Sequence, residues 1–102
     1  MNKIASWGNY KKVKTNLIYP KDKKSLIKLI KQKKELLTFG NGRSYGDVCL
    51  NKKNLISLRN FKRIISFDKK KGIIDVESGI LMSELLPIIL KNNFFLPVTS
   101  GT

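Results

Sequence analysis

The sequence contains no histidine and only one cysteine, Cys49. A disulfide within the chain is therefore excluded, as are histidine-dependent acid–base catalysis and Ser-His-Asp or Cys-His nucleophilic sites. Most zinc sites need histidine or several cysteines, so no metal site is predicted. With so few groups of this kind available, we predict no catalytic residue in the chain.

Acidic residues are scarce, and so is arginine among the basic residues. Seven acidic residues stand against 21 basic ones, which gives a formal net charge of +14, yet only Arg43, Arg59 and Arg63 are arginine. Such a charge invites a nucleic-acid-binding interpretation. Recognition of base edges prefers arginine, however, and the lysines are spread over expected turns and polar helix faces. We therefore favour a solvated lysine surface and predict no nucleic-acid partner, with a basic binding module as the alternative.

Long hydrophobic runs are also missing. The most apolar stretch, 80–98, is interrupted by Glu84 and Lys91, so no transmembrane segment of about 20 residues is predicted. The first residues lack the apolar core of a signal peptide, and we expect a cytoplasmic location. At 102 residues and 41% hydrophobic content, the chain is expected to form one small domain or part of one.

Two amphipathic segments are predicted to be helices. The first follows Pro20, takes Asp22 as its N-cap and ends near Lys33. The second covers about 82–91, where Pro87 predicts a kink or an irregular first turn. Both have an apolar face suited to packing against other elements.

Short apolar runs between turn-forming residues are predicted to be strands. A hairpin is expected around the turn 68–72. Residues 1–19 are interpreted as an N-terminal segment that leads into the domain, and 20–102 as the domain itself. Because helices and strands do not alternate regularly, the predicted fold class is α+β. The other expected strand-like runs are 36–39, 55–58 and 94–98.

The segment Gly40-Asn41-Gly42-Arg43-Ser44-Tyr45-Gly46-Asp47 has three glycines within seven residues. Glycines let backbone N–H groups approach an anion closely, because no Cβ intervenes and a positive φ is accessible. The spacing fails both the dinucleotide fingerprint and the Walker pattern, and no helix pattern follows the segment. Two interpretations stay open from the residues alone. The loop is a phosphate-binding nest of its own amides and the Ser44 hydroxyl, or it is a glycine-rich turn without a ligand.

The same segment resembles the first pyrophosphate loop of FAD-linked oxidases of the vanillyl-alcohol-oxidase type, which have a PCMH-type FAD-binding domain. The context is similar as well, with Asp75-Val76-Glu77-Ser78-Gly79 before the second helix and Pro97-Val98-Thr99-Ser100-Gly101-Thr102 after it. Trp7-Gly8 together with the loop is most similar to the decaprenylphosphoryl-ribose oxidase branch. The resemblance covers nearly the whole chain and implies the N-terminal part of a PCMH-type FAD-binding domain, incomplete at its C-terminus.

The resemblance implies FAD as the cofactor and also implies where this chain contacts it. Amides of 40–44 would surround the pyrophosphate, and Gly101 would begin a second loop against the flavin. The covalent attachment used by some members needs a histidine in the first loop region, so FAD is expected to bind non-covalently. The implied cofactor-binding residues are Thr38, Phe39, Gly40, Asn41, Gly42, Arg43, Ser44, Tyr45, Gly46, Asp47 and Gly101.

The function implied by the resemblance is that of an FAD-dependent oxidoreductase acting on a CH–OH group of a sugar or lactone. The family's substrate domain and the rest of its flavin pocket lie beyond what this chain contains. We therefore expect the chain to be inactive alone and to need a downstream polypeptide that completes the domain. The alternatives are a non-functional truncated remnant and the basic nucleic-acid-binding module.

Overall fold

A four-stranded mixed sheet forms the centre of the fold. The computed structural model describes residues 2–9 and 11–101. Met1, Tyr10 and Thr102 lie outside the described residues, and Thr102 is the last residue of the segment 97–102 that contributes to the family resemblance. The spatial order of the strands is β1-β2-β4-β3, with β1 antiparallel to β2 and the other two pairs parallel. The strands are β1 (Asn2–Ala5), β2 (Lys12–Ile18), β3 (Leu37–Phe39) and β4 (Asn54–Ser57).

The central strand β4 contains the most deeply buried residues of the sheet. Leu55, Ile56 and Ser57 are at most 2% exposed, although successive strand residues point to opposite faces. Burial on both faces is typical of parallel strands that are covered by other elements. β3 pairs with β4 in parallel, with Phe39 opposite Ser57. The chain therefore leaves both strands at the same edge of the sheet.

The predicted first helix is confirmed as α1 (Lys23–Gln32). Its N-cap is Asp22, whose carboxylate accepts a hydrogen bond of 2.7 Å from the Ser25 N–H. This bond satisfies one of the amides that the start of a helix leaves without a partner. The pKa of Asp22 lies below its usual range, chiefly because of hydrogen bonding to the Ser25 side chain and secondly because of this bond from the Ser25 N–H. The helix connects β2 to β3, and the connection lets the two strands run parallel on either side of β4.

The predicted hairpin is confirmed as β5 (Ile64–Asp68) and β6 (Ile73–Val76), which form a separate two-stranded sheet. The Asp68 carboxylate accepts two hydrogen bonds of 3.0 Å from backbone N–H groups of the turn that follows. Gly72 completes the turn with a φ of 65°, which glycine adopts without steric cost. The turn is therefore specified by local residues, as the sequence pattern indicated.

The predicted second helix is confirmed as α2 (Met82–Lys91), and it continues through Pro87. Leu85 and Ile89 lie one turn apart and are its buried residues. No helix in the described part of the chain is long and apolar enough to cross a membrane. Two helices beside a mixed sheet and a separate hairpin confirm the α+β class.

The prediction of a strand over 94–98 is wrong, because the structure has no strand there. Asn93 has a φ of 63°, and the Phe94 N–H donates to the Ile89 carbonyl at 2.9 Å. These two features end the helix and turn the chain back. The Phe94 ring then packs on Phe67 of the hairpin, with ring centroids 5.5 Å apart. The aromatic residue thus contributes to a local cluster instead of a sheet ladder.

The turn between β6 and α2 packs against the segment that follows β4. Gly79 in this turn donates its N–H to the Phe61 carbonyl at 2.8 Å. A Cβ at position 79 would lie 1.7 Å from the Leu58 carbonyl oxygen and 2.6 Å from that of Phe61. Both obstacles are backbone atoms, so only glycine lets the turn lie this close to the end of β4.

We predict that Gly79→Ala lowers the free energy of unfolding by about 3 kcal/mol or more, because backbone atoms must move to admit the methyl group. Gly40→Ala is the matched control, since its Cβ would meet no atom within 4 Å and should cost less than about 1 kcal/mol. Urea denaturation followed by circular dichroism measures both variants. Equal stabilities of the two would contradict the close packing at Gly79.

Candidate functional site

A cleft of about 660 Å³ opens at the edge of the sheet where β3 and β4 end. One wall is the glycine-rich loop that follows β3. The other wall is the turn after β6 together with the first residues of α2. The volume lies within the roughly 300–1,000 Å³ of small-molecule sites. The lining residues are Thr38, Phe39, Gly40, Asn41, Arg43, Leu58, Arg59, Ser78, Gly79, Ile80, Leu81, Met82 and Ser83.

The glycine-loop wall brings together five residues that were predicted to bind the cofactor. They are Thr38, Phe39, Gly40, Asn41 and Arg43. Gly42 supports this wall from within the loop, with a φ of 69°. A Cβ at Gly42 would lie 2.9 Å from the Phe39 ring. The ring at the end of β3 therefore packs directly against the loop backbone and holds it in place.

The remaining predicted residues are not among those that line the cleft in the described chain; they are Gly42, Ser44, Tyr45, Gly46, Asp47 and Gly101. Tyr45 packs edge-to-face on Trp7, with ring centroids 5.3 Å apart. The Ser6 hydroxyl donates to the Gly46 carbonyl. These contacts attach the far end of the loop to the N-terminal segment. The part that these residues take in cofactor binding stays a prediction.

Asp47 has an environment different from that of a phosphate contact. Its carboxylate lies 3.8 Å from the Lys11 Nζ, and its backbone carbonyl accepts from the Leu50 N–H at 2.9 Å. Ser44 and Gly101, two other predicted residues that do not line the cleft, are exposed to solvent. Asp47 therefore belongs to the turn that closes the loop, and its charge is paired away from the cleft.

The second wall was not predicted from the sequence. The half-buried Arg59 connects its two parts, the turn after β6 and the start of α2. The Arg59 Nη1 donates to the Gly79 carbonyl and to the Glu84 Oε1, the latter at 2.8 Å. Glu84 is the third residue of α2, and the same Oε1 accepts from the Leu81 N–H at 3.0 Å. The sequence signal that could have revealed this contact was a glutamate at the third position of a predicted helix, where its carboxylate can accept from the N-cap N–H. The N-cap is Leu81, whose side chain has no acceptor, and the familiar capping pair is therefore incomplete.

The Glu84 carboxylate lies between two cations. Besides Arg59, the Lys62 Nζ lies 3.9 Å from its Oε2. The hydrogen bond from Arg59 lowers the pKa of Glu84 below its ordinary value of 4.5, and the bond from the Leu81 N–H lowers it further. The carboxylate therefore stays ionised at neutral pH and holds the arginine against the start of α2.

The charges that line the cleft are of one sign. Arg43 and Arg59 are two of the three arginines of the chain, and no lysine, aspartate or glutamate is among the lining residues. The many lysines of this chain are thus found elsewhere. A lining of backbone amides, hydroxyls and guanidinium groups without a carboxylate is suited to a phosphate-containing ligand.

Other reactive groups do not form a second site in the described residues. Cys49 is a free cysteine and is 8% exposed. Within residues 2–9 and 11–101, no group of three or more histidine, cysteine, aspartate or glutamate side chains could hold a metal ion. The cleft beside the glycine loop is therefore the candidate for function.

We predict that Glu84→Gln makes the stability less dependent on acid pH. Because folding lowers the pKa of Glu84, the ion pair stabilises the fold above about pH 4.5, and this contribution is lost as the pH falls through the lowered pKa. Wild type should therefore be the more stable protein at about pH 6, and its advantage over Glu84→Gln should shrink as the pH falls below about 4.5. Urea midpoints measured across this range test the prediction. Parallel curves for the two proteins would contradict it.

Comparison with known proteins identifies the family of the chain. Over 106 aligned residues it is 26% identical to decaprenylphosphoryl-beta-D-ribose oxidase of Mycolicibacterium smegmatis. The alignment covers 98% of this chain and 23% of that relative, so the chain spans less than a quarter of the relative's length. The sequence model of the FAD binding domain matches residues 15–102, which include both walls of the cleft. The predicted resemblance is confirmed: the chain belongs to the FAD binding domain family, and FAD is its cofactor.

Proposed function

We propose that this chain is the FAD-binding N-terminal portion of a flavin-dependent oxidoreductase that acts on a CH–OH group of a sugar or lactone. The observation that supports it most is the cleft itself. A glycine loop and two arginines line it, and no carboxylate does. A diphosphate is the cofactor group that such a donor set fits. The substrate class is suggested by the name of the relative, a decaprenylphosphoryl-beta-D-ribose oxidase.

Within the cleft, the polar and apolar parts of the cofactor have different partners. Gly40, Asn41 and Arg43 provide donors for the phosphate oxygens, and Phe39 and Ile80 provide apolar surface for the rings. When bound, FAD supplies the acceptor for a hydride from the substrate. The chain's own residues bind and orient the cofactor non-covalently, and we assign none of them a catalytic role.

The proposal includes a second polypeptide segment. The chain aligns with 23% of the relative, and we propose that a downstream polypeptide completes the flavin pocket and provides the substrate domain. In this proposal 20–102 form the first part of the domain, and the preceding segment 1–19 contributes β1 and β2 to the same sheet. The cytoplasmic location expected from the sequence remains part of the proposal.

We predict that the chain quenches FAD fluorescence on binding and that Arg43→Gln weakens this binding roughly ten- to a hundredfold, because one charge-assisted hydrogen bond to phosphate is lost. Arg63→Gln is the matched control. Arg63 is paired with Glu77 at 2.9 Å and does not line the cleft, so its affinity should equal that of wild type. Fluorescence titration measures all three proteins. If neither the wild-type chain nor the chain completed by the downstream polypeptide takes up FAD, the assignment of this cleft is wrong.

We predict that the chain alone leaves sugars and lactones unoxidised even with FAD bound. Together with the polypeptide encoded directly downstream, anaerobic addition of such a substrate should bleach the visible flavin absorbance, because the flavin becomes reduced. The chain with FAD but without the second polypeptide is the control. Bleaching by the chain alone, or none by any sugar or lactone with the completed protein, would contradict the proposed activity.

A further inference from the structure

The two arginines of the cleft approach it from different segments of the chain. Arg43 belongs to the loop after β3, and Arg59 is two residues beyond the end of β4. Phe39 and Ser57 pair at the ends of these parallel strands. Both arginines line the same cleft. Arg43 belongs to the glycine-loop wall, whereas the Arg59 guanidinium is hydrogen-bonded to Gly79 and Glu84 of the other wall. Two cations on opposite walls can hold a divalent group between them.

The Arg59 side chain is held in position from one side only. Its acceptors in the described part of the chain, the Gly79 carbonyl and the Glu84 carboxylate, both meet Nη1. A guanidinium presents five N–H donors, so Nε and Nη2 keep three donors beyond these contacts. The side chain is 30% exposed, and it is one of the residues that line the cleft.

The charge around Arg59 does not cancel. Glu84 neutralises one positive charge, but Lys62 lies 3.9 Å from the same carboxylate. The three groups together leave a charge of about +1. No described carboxylate forms an ion pair with Arg43 on the other wall. The cleft therefore has positive charge available on both sides.

We propose that Arg59 is a second arginine ligand of the cofactor's diphosphate, opposite Arg43. This inference rests on the proposed function. Glu84 fixes the guanidinium through Nη1, and the remaining N–H donors face a phosphate oxygen. The guanidinium is pre-organised by its contacts with Gly79 and Glu84, so little side-chain entropy is lost when the ligand binds. Arg59 thus acts on the phosphates and not on the flavin ring.

The test compares three ligands that differ in their phosphates. FAD and ADP contain a diphosphate, whereas riboflavin contains the flavin ring without any phosphate. Arg59→Gln is expected to weaken FAD and ADP roughly ten- to a hundredfold and to leave riboflavin unchanged. Arg59→Lys should recover part of the loss, because it keeps the charge without the planar fork. Arg63→Gln is the control and should bind all three ligands as wild type does.

Each outcome of these titrations supports or contradicts a contact between Arg59 and the diphosphate. If Arg59→Gln binds FAD as tightly as wild type, or loses affinity for all three ligands equally, Arg59 has at most a structural role and the inference is wrong. Where Arg59→Gln does not fold, Arg59→Lys decides by the same comparison, since only a phosphate contact weakens FAD and ADP selectively. If wild type binds neither FAD nor ADP, the proposed function fails first, and this inference fails with it.

Discussion

The close approach of Gly79 to the end of β4 is the contact on which the geometry of the cleft depends. The turn lies against the Leu58 and Phe61 carbonyls because position 79 has no side chain. This contact brings the Gly79 carbonyl within reach of Arg59, which in turn reaches Glu84 at the start of α2. Because position 79 has no Cβ, the turn, Arg59 and the start of α2 can pack together as one wall of the cleft. The wall then faces a loop that is fixed independently by Phe39.

The separation of arginine from lysine gives the surface two different electrostatic roles. Lysine side chains are long, flexible and strongly hydrated, and a surface rich in them attracts anions without selecting their shape. Guanidinium groups are planar and match the geometry of two phosphate oxygens. Two of the three arginines line the cleft, and no lysine does. The net charge of +14 attracts phosphate compounds in general, whereas the cleft offers the directed donors that would hold one.

Local patterns predicted the parts of the fold that neighbouring residues determine. The Asp22 cap, the Asp68 turn and the second helix depend on hydrogen bonds that span a few residues, and each was found where expected. The glycine loop was predicted as a phosphate-binding loop from its glycines and from the family resemblance, and five of the residues predicted to bind the cofactor line the cleft. The second wall was missed because its contacts are long-range: Arg59 and Glu84 are 25 residues apart. The expected strand at 94–98 failed because a ring contact with Phe67, invisible to periodicity, competes with extension.

The strand that leads into the glycine loop is three residues long and lies at the edge of the sheet. In the described chain it is paired with β4 alone. Opening of this strand therefore breaks one short ladder, leaves β4 paired to β2, and requires less free energy than global unfolding. Such a local opening moves Thr38, Phe39 and Gly40 together, so the glycine-loop wall separates from the wall formed by the turn and α2, and the cleft is lost. Amide hydrogen exchange in β3 and occupancy of the cleft are consequently linked equilibria, and a bound cofactor slows the exchange by the amount that it stabilises the closed strand.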